Sequence, residues 1–191
     1  MILQDKIKLY HASYIAVEKI DLTLCSEGKD FGKGFYVTTN YEQACRFVKT
    51  SIKKAIKNGI NISNNSIGYI SVYEFKNNVK DVSIFEFDYA NRDWLHCVAE
   101  HRKRDLFSKS QNDWNEFDII AGKIANDTTN QVLTTYINGL YGEVGSDLAD
   151  ETAIRLLFPN KLSDQICFKT EKSLKMLSFV EAMEVVIDES K

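Results

Sequence analysis

Two runs in this chain hold the residue types from which a binding or reacting site is made. Leu9-Tyr10-His11-Ala12-Ser13 sets a histidine beside two small residues, and Gly28, Gly32 and Gly34 lead into Phe35-Tyr36-Val37-Thr38. Glycines so closely spaced let backbone approach a ligand or take positive φ, and Phe35, Tyr36 and Val37 then read as a buried strand. Tyr36 stands where a loop meets a rigid element, and His11 stands at the end of the alternating strand Lys6-Ile7-Lys8-Leu9-Tyr10. A histidine and a tyrosine are thus placed on two strand edges. Each also has a plain structural reading, the histidine as a packing group and the tyrosine as core. The GxG of Gly32 and Gly34 is not a dinucleotide-fold fingerprint, because it lacks the third glycine and precedes a strand instead of following one. Cys97 and His101, four apart on one helical face, have the spacing of a thiolate-imidazole pair or half a metal site. No third ligand is visible, His96 faces elsewhere, and an ordinary helix accounts for them.

The elements that must position these residues are legible as periodic runs. Asn40 and Gln43 form a capping pair ahead of a helix from Tyr41 to Lys57, with Ala44, Phe47, Val48, Ile52, Ala55 and Ile56 at helical spacing. Tyr69 to Phe75 and Ser83 to Phe87 read as strands, Asn91 caps a helix through Arg102, and a polar loop from Ser108 to Asn115 precedes the strand Phe117 to Ala121. Asp127 caps a helix carrying Val132 to Leu140, and Leu148 to Leu157 mark another that Pro159 stops. Gln165 to Lys169 is a strand, Glu171 to Leu174 a helical turn, and Leu177 to Ile187 a final long strand. Strands without one-to-one helical alternation indicate an α+β domain, not a doubly wound sheet.

A length of 191 residues, 44% hydrophobic and 27% charged, fits one domain spanning residues 1–191. The formal charge of -3 supplies no global attraction for nucleic acid or anionic lipid. Lys53, Lys54 and Lys57, and Arg102, Lys103 and Arg104, read as solvated helix faces. Asp5 and the lysines at 6 and 8 interrupt the first ten residues, and no apolar run reaches membrane-span length, so the expectation is a soluble, cytoplasmic protein with no membrane partner. Four cysteines without CxxC spacing read as free thiols. Trp94 and Trp114 read as packing residues, with Trp114 able to touch a partner from its polar loop.

Leu9 to Ser13, Gly32-Lys33-Gly34-Phe35-Tyr36-Val37-Thr38 and Asp164-Gln165-Ile166-Cys167-Phe168 together resemble the His-Tyr-Glu class of ADP-ribosyltransferases. More closely, the chain resembles an uncharacterised bacterial family of that superfamily. The resemblance implies a split, twisted β-sheet around a cleft that binds NAD as substrate, with no metal. It assigns His11, Tyr36 and Gln165 as the catalytic positions and His11, Ala12, Ser13, Gly34 and Tyr36 as those binding NAD. His11 would hydrogen-bond the nicotinamide-side ribose, Ala12 would offer backbone groups to the carboxamide, Ser13 would assist the ribose and Tyr36 would stack on the nicotinamide ring. Breaking the glycosidic bond develops positive charge on the ribose, so orientation and polar preorganisation outweigh a strong internal nucleophile. All three catalytic side chains are expected in one cleft.

Two departures from the pattern matter. Ala12 replaces the glycine usual after the histidine, and Gln165 stands where glutamate is expected. An amide can hydrogen-bond a ribose hydroxyl but cannot take its proton or favour an oxocarbenium-like ribose as a carboxylate does. An acceptor already nucleophilic at neutral pH, a substitute carboxylate such as Asp164, Asp127 or Asp30, or loss of activity are the three ways out. Mono-ADP-ribosylation of a protein or nucleic-acid acceptor with release of nicotinamide is the leading expectation. By family analogy the protein would be a bacterial toxin or effector with an antitoxin or immunity partner. The alternative is a catalytically silent module that binds NAD, ADP-ribose or a protein; a cysteine enzyme built on Cys97 and His101 is the third.

Overall fold

The computed structural model describes residues 2–62, 67–107, 113–124, 127–157 and 163–187. Among these residues run β1 (Lys8–Ser13), β2 (Phe35–Val37), α1 (Tyr41–Lys57), β3 (Ile67–Phe75), β4 (Ile84–Glu86) and α2 (Arg92–Arg102). They are followed by β5 (Ile119–Lys123), α3 (Asp127–Ile137), α4 (Asp147–Leu157), β6 (Asp164–Phe168), α5 (Glu171–Leu174) and β7 (Leu177–Val186). The architecture is mixed α+β. One sheet has the order β1-β3-β7 and the other β2-β6-β5-β4, antiparallel throughout except for the parallel pair of β4 and β5. The two sheets touch through an isolated bridge, in which Tyr10 and Thr38 exchange backbone bonds of 2.9 and 3.0 Å.

Side-chain alternation along the strands sorts the core into layers. Leu9, Phe35, Val37, Tyr73, Phe75, Ile119, Ile166 and Phe168 fill the space between the two sheets. Ile70 and Val72, on the other face of β3, pack against Ala44, Val48 and Ile52 of α1. On the far side of the second sheet, Ile120 and Cys167 join Trp94, Leu95 and Val98 of α2, Leu133 and Tyr136 of α3, and Ala153 and Leu157 of α4. Which layer a residue enters is therefore fixed by its parity on the strand.

Several local signals take a different form from the expected one. Lys6 has φ 65° in a turn, so β1 begins at Lys8 and His11 lies inside the strand instead of at its end. Asn40 caps α1 by accepting from the Gln43 N–H at 2.9 Å, but the reciprocal half of the capping pair is missing because Thr38 Oγ1 takes the Asn40 N–H. Leu140 and Leu148 are 74% and 70% exposed, beyond the end of α3 and on the outer face of α4. Trp114 is 4% exposed and packs on Phe85 and Phe87, which removes it as a partner-facing group. Asn91 and α5 behave as read, Asn91 accepting from the Trp94 N–H at 2.9 Å. Most of the loop expected at 108–115 and the helix stop at Pro159 lie outside the described residues. All four cysteines are free thiols. Among the described residues no helix is long and apolar enough to cross a membrane.

Candidate functional site

The stretch from Gly28 to Gly34 is packed onto the protein itself, and two of its glycines show why. Gly32 has φ +85°, and a β-carbon on it would come within 2.6 Å of the His101 ring. A β-carbon on Gly34 would meet Cys167 Sγ at 2.5 Å and the Phe168 carbonyl oxygen at 2.6 Å. The close approach that the sequence assigned to a ligand is thus made here to α2 and β6. The stretch delivers its tyrosine to β2 with the hydroxyl already engaged: Tyr36 Oη accepts from the Phe31 N–H at 2.9 Å and donates to the Gly32 carbonyl at 2.7 Å. Burial pushes the phenol far above its ordinary pKa, so it remains a neutral donor.

Gln165 shares that face of the sheet. Tyr36 lies opposite Cys167 in the β2–β6 register, and Gln165 is two residues before Cys167, so alternation sends Tyr36, Cys167 and Gln165 to the same side. The amide is 7% exposed; its Nε2 donates to Asp30 Oδ2 at 2.7 Å and more distantly to the Lys123 carbonyl at 3.5 Å. Asp30, 8% exposed, also accepts from Arg102 Nε and Nη2 at 3.0 and 2.6 Å through Oδ1. Arg102, expected on a solvated basic face, is instead the largely buried counter-ion of the glycine stretch. Of the substitute carboxylates, Asp30 is committed to these partners and Asp164 to Lys123 Nζ at 2.8 Å. Asp127 opens α3, and its side chain lies outside the described residues.

His11 reaches β2 from the other side. Its ring lies 4.3 Å from the Phe35 ring, in the layer between the sheets, and its Nδ1 meets the Tyr36 carbonyl at 2.7 Å. A carbonyl accepts only, so the neutral ring carries its proton on Nδ1 and leaves Nε2 as an acceptor. Burial lowers the imidazole pKa against the raising effect of that carbonyl, which favours the neutral form. The structure therefore brings Tyr36 and Gln165 to one face of the second sheet and joins His11 to Tyr36 through the backbone, with the imidazole and the phenol on opposite faces of β2.

The strand geometry makes a gap at this point. Tyr10 and Thr38 exchange both of their backbone bonds across the bridge. Two residues on, Ala12 and Tyr36 turn their backbone groups the same way. Among the described residues no backbone bond joins them; the His11 side chain meets the Tyr36 carbonyl where a ladder bond would be. Ala12, His11 and Tyr36 are partly exposed, and Ser13, 8% exposed, accepts from the Ile15 N–H through Oγ at 3.5 Å. A separate cavity of about 230 Å³ is lined by Leu22, Thr23, Lys33, Gly34 and Lys169. Of the expected site residues it includes Gly34 alone.

The remaining candidates have structural explanations. His101 Nδ1 donates to the Cys97 carbonyl at 2.8 Å, so the nitrogen 3.6 Å from the Cys97 sulfur has no lone pair with which to take the thiol proton. Burial pushes the Cys97 thiol well up, and the thiolate needed for a cysteine enzyme is disfavoured. His96 pairs with the fully buried Asp150 at 2.8 Å, and Asp150 also takes Arg92 Nε at 3.0 Å and the Tyr136 hydroxyl at 2.5 Å. No spacing rule pointed to this network, which ties α2, α3 and α4 together. Among the described residues no three His, Cys, Asp or Glu side chains gather as a metal site.

No curated protein and no solved structure matches the chain. Residues 7–179 match the family described as "Protein of unknown function (DUF3990)", and the chain belongs to that family.

Proposed function

We propose that this protein is a mono-ADP-ribosyltransferase, cleaving NAD at the nicotinamide-ribose bond and moving ADP-ribose to a protein or nucleic-acid acceptor. The observation that carries the reading is the gap beyond the Tyr10–Thr38 bridge. There the backbone of Ala12 and the contact of His11 Nδ1 with the Tyr36 carbonyl bring together two strands belonging to different sheets, with the imidazole on one face of β2 and the Tyr36 ring on the other, and β6 with Gln165 lies next to β2. A gap between two sheets supports the split-sheet reading that the His-Tyr-Glu resemblance implies. In it, Ala12 backbone groups take the carboxamide, His11 Nε2 accepts from a ribose hydroxyl, and Tyr36 flanks the nicotinamide ring. Stabilisation of the developing ribose cation comes from fixed dipoles, with nicotinamide leaving as a neutral group. A role as toxin or effector, and an immunity partner, belong to the same reading by family analogy alone.

One observation favours the silent-module reading: Gln165 cannot take a proton, and Asp30 and Asp164 are already ion-paired. The test is incubation of the purified protein with NAD labelled in the nicotinamide ring, in the presence of cell lysate. Release abolished by His11→Ala and by Tyr36→Ala supports the transferase. NAD binding without release supports the module, and release indifferent to both substitutions refutes the site.

A further inference from the structure

The contact between Gln165 and Asp30 joins residues 135 positions apart and brings a carboxylate to the amide that replaces the expected glutamate. Its direction is fixed by chemistry. Nε2 faces two acceptors, Asp30 Oδ2 at 2.7 Å and the Lys123 carbonyl at 3.5 Å, so the amide nitrogen and not its oxygen must be the inward end. Among the described residues no donor reaches Oε1, and no fully enclosed side-chain oxygen is left unpaired, so Oε1 is the end of the amide not engaged by the protein. Asp30 cannot turn away from this duty easily, because Arg102 holds its other oxygen at 3.0 and 2.6 Å. A glutamate at 165 facing Asp30 would set two carboxylates in contact, which only a shared proton would relieve.

We propose that Asp30, clamped by Arg102, is a positioning residue that locks the Gln165 amide with Nε2 inward, so that position 165 presents an acceptor oxygen to a ligand hydroxyl and never a donor. That the hydroxyl is a ribose hydroxyl of NAD rests on the proposed transferase reading; the locked orientation does not.

Asparagine at 30 reverses the amide. Its single oxygen goes to Arg102, its Nδ2 faces Gln165, and Gln165 must turn its oxygen inward and its NH2 outward. Exchanging both groups, Asp30→Asn with Gln165→Glu, restores an inward hydrogen bond and an outward acceptor. In the wild-type protein, the side-chain NH2 signals of Gln165, assigned by their loss in Gln165→Glu, should include one proton shifted downfield by the carboxylate. That shift should vanish in Asp30→Asn. Nicotinamide release should fall about tenfold or more in Asp30→Asn, the order expected when an acceptor is replaced by a donor, and recover in the double variant. If the wild-type protein releases no nicotinamide, the transferase reading fails while the NH2 signals still decide the orientation. An unshifted Gln165 NH2 pair in the wild-type protein, or a folded double variant no more active than Asp30→Asn alone in a protein that does release nicotinamide, overturns the proposal.

Discussion

Tyr36→Phe removes one oxygen and separates the two roles that the phenol combines. The ring, which the proposed function uses, stays; the hydroxyl, which holds the glycine stretch, goes. Two hydrogen bonds are lost, from the Phe31 N–H at 2.9 Å and to the Gly32 carbonyl at 2.7 Å. Phe31 is 0% exposed, so its amide has little water to turn to. Hydrogen bonds of this kind contribute about 0.5–1.5 kcal/mol each, and an orphaned buried donor adds to the loss, giving a destabilisation of about 2 kcal/mol. In a domain of this size that corresponds to a fall in Tm of about 4–8 °C. Thermal and urea unfolding followed by circular dichroism measures it, with nicotinamide release assayed well below the transition. Release should be little changed in Tyr36→Phe and lost in Tyr36→Ala. An unaltered Tm would show that the hydroxyl does not anchor the stretch. A Tyr36→Phe protein that keeps wild-type stability but loses release would show that the hydroxyl acts on substrate, contrary to its placement.

Gly34→Ala should destabilise by about 1–3 kcal/mol through overpacking, since backbone at Phe168 and the buried Cys167 sulfur must both give way; chemical denaturation reads this, and a neutral result refutes the contact. Asp118 is raised by burial, but Lys172, the Ser83 N–H and Oγ, and Thr170 outweigh that and hold it down to about 2. A depressed carboxylate stabilises the fold above its ordinary pKa, so about 2 kcal/mol should be lost between roughly pH 5 and 2, and Asp118→Asn should flatten that limb of the stability profile. His11, whose pKa burial lowers, contributes stability present above its ordinary value near 6.5 and lost as pH falls below it; His11→Gln should remove that slope. Alkylation of the native protein should modify Cys25 and Cys45 before the buried Cys97 and Cys167, whose thiols burial pushes up, Cys167 to about 12; early labelling of Cys97 would reopen the cysteine-enzyme idea.

What could be read along the chain was what is encoded locally. The cap at Asn91, the limits of α1 and the turn at α5 depend on residues three or four apart, and they were legible as spacing. The start of β1 is hidden in the sequence because alternation continues through Lys6, whereas positive φ at that residue comes from the turn that feeds the strand. Arg102 reads as a solvated charge in the sequence for a related reason. Its partner Asp30 lies 72 residues away, and no periodicity links a helix end to the middle of a glycine-rich stretch.

The same separation explains why Gln165 looked like a defect. Taken by position alone, an amide where a carboxylate is expected removes charge and proton affinity from the site. With Asp30 and Arg102 beside it, the exchange becomes electrostatically consistent: one carboxylate, one guanidinium and one amide balance in a buried cluster, with the amide nitrogen donating to the carboxylate. A glutamate would bring a second negative charge against a single arginine. The residue at 165 and the residue at 30 therefore have to be judged together. Activity, if it follows this geometry, should track the direction of the amide dipole instead of the presence of a carboxylate at 165.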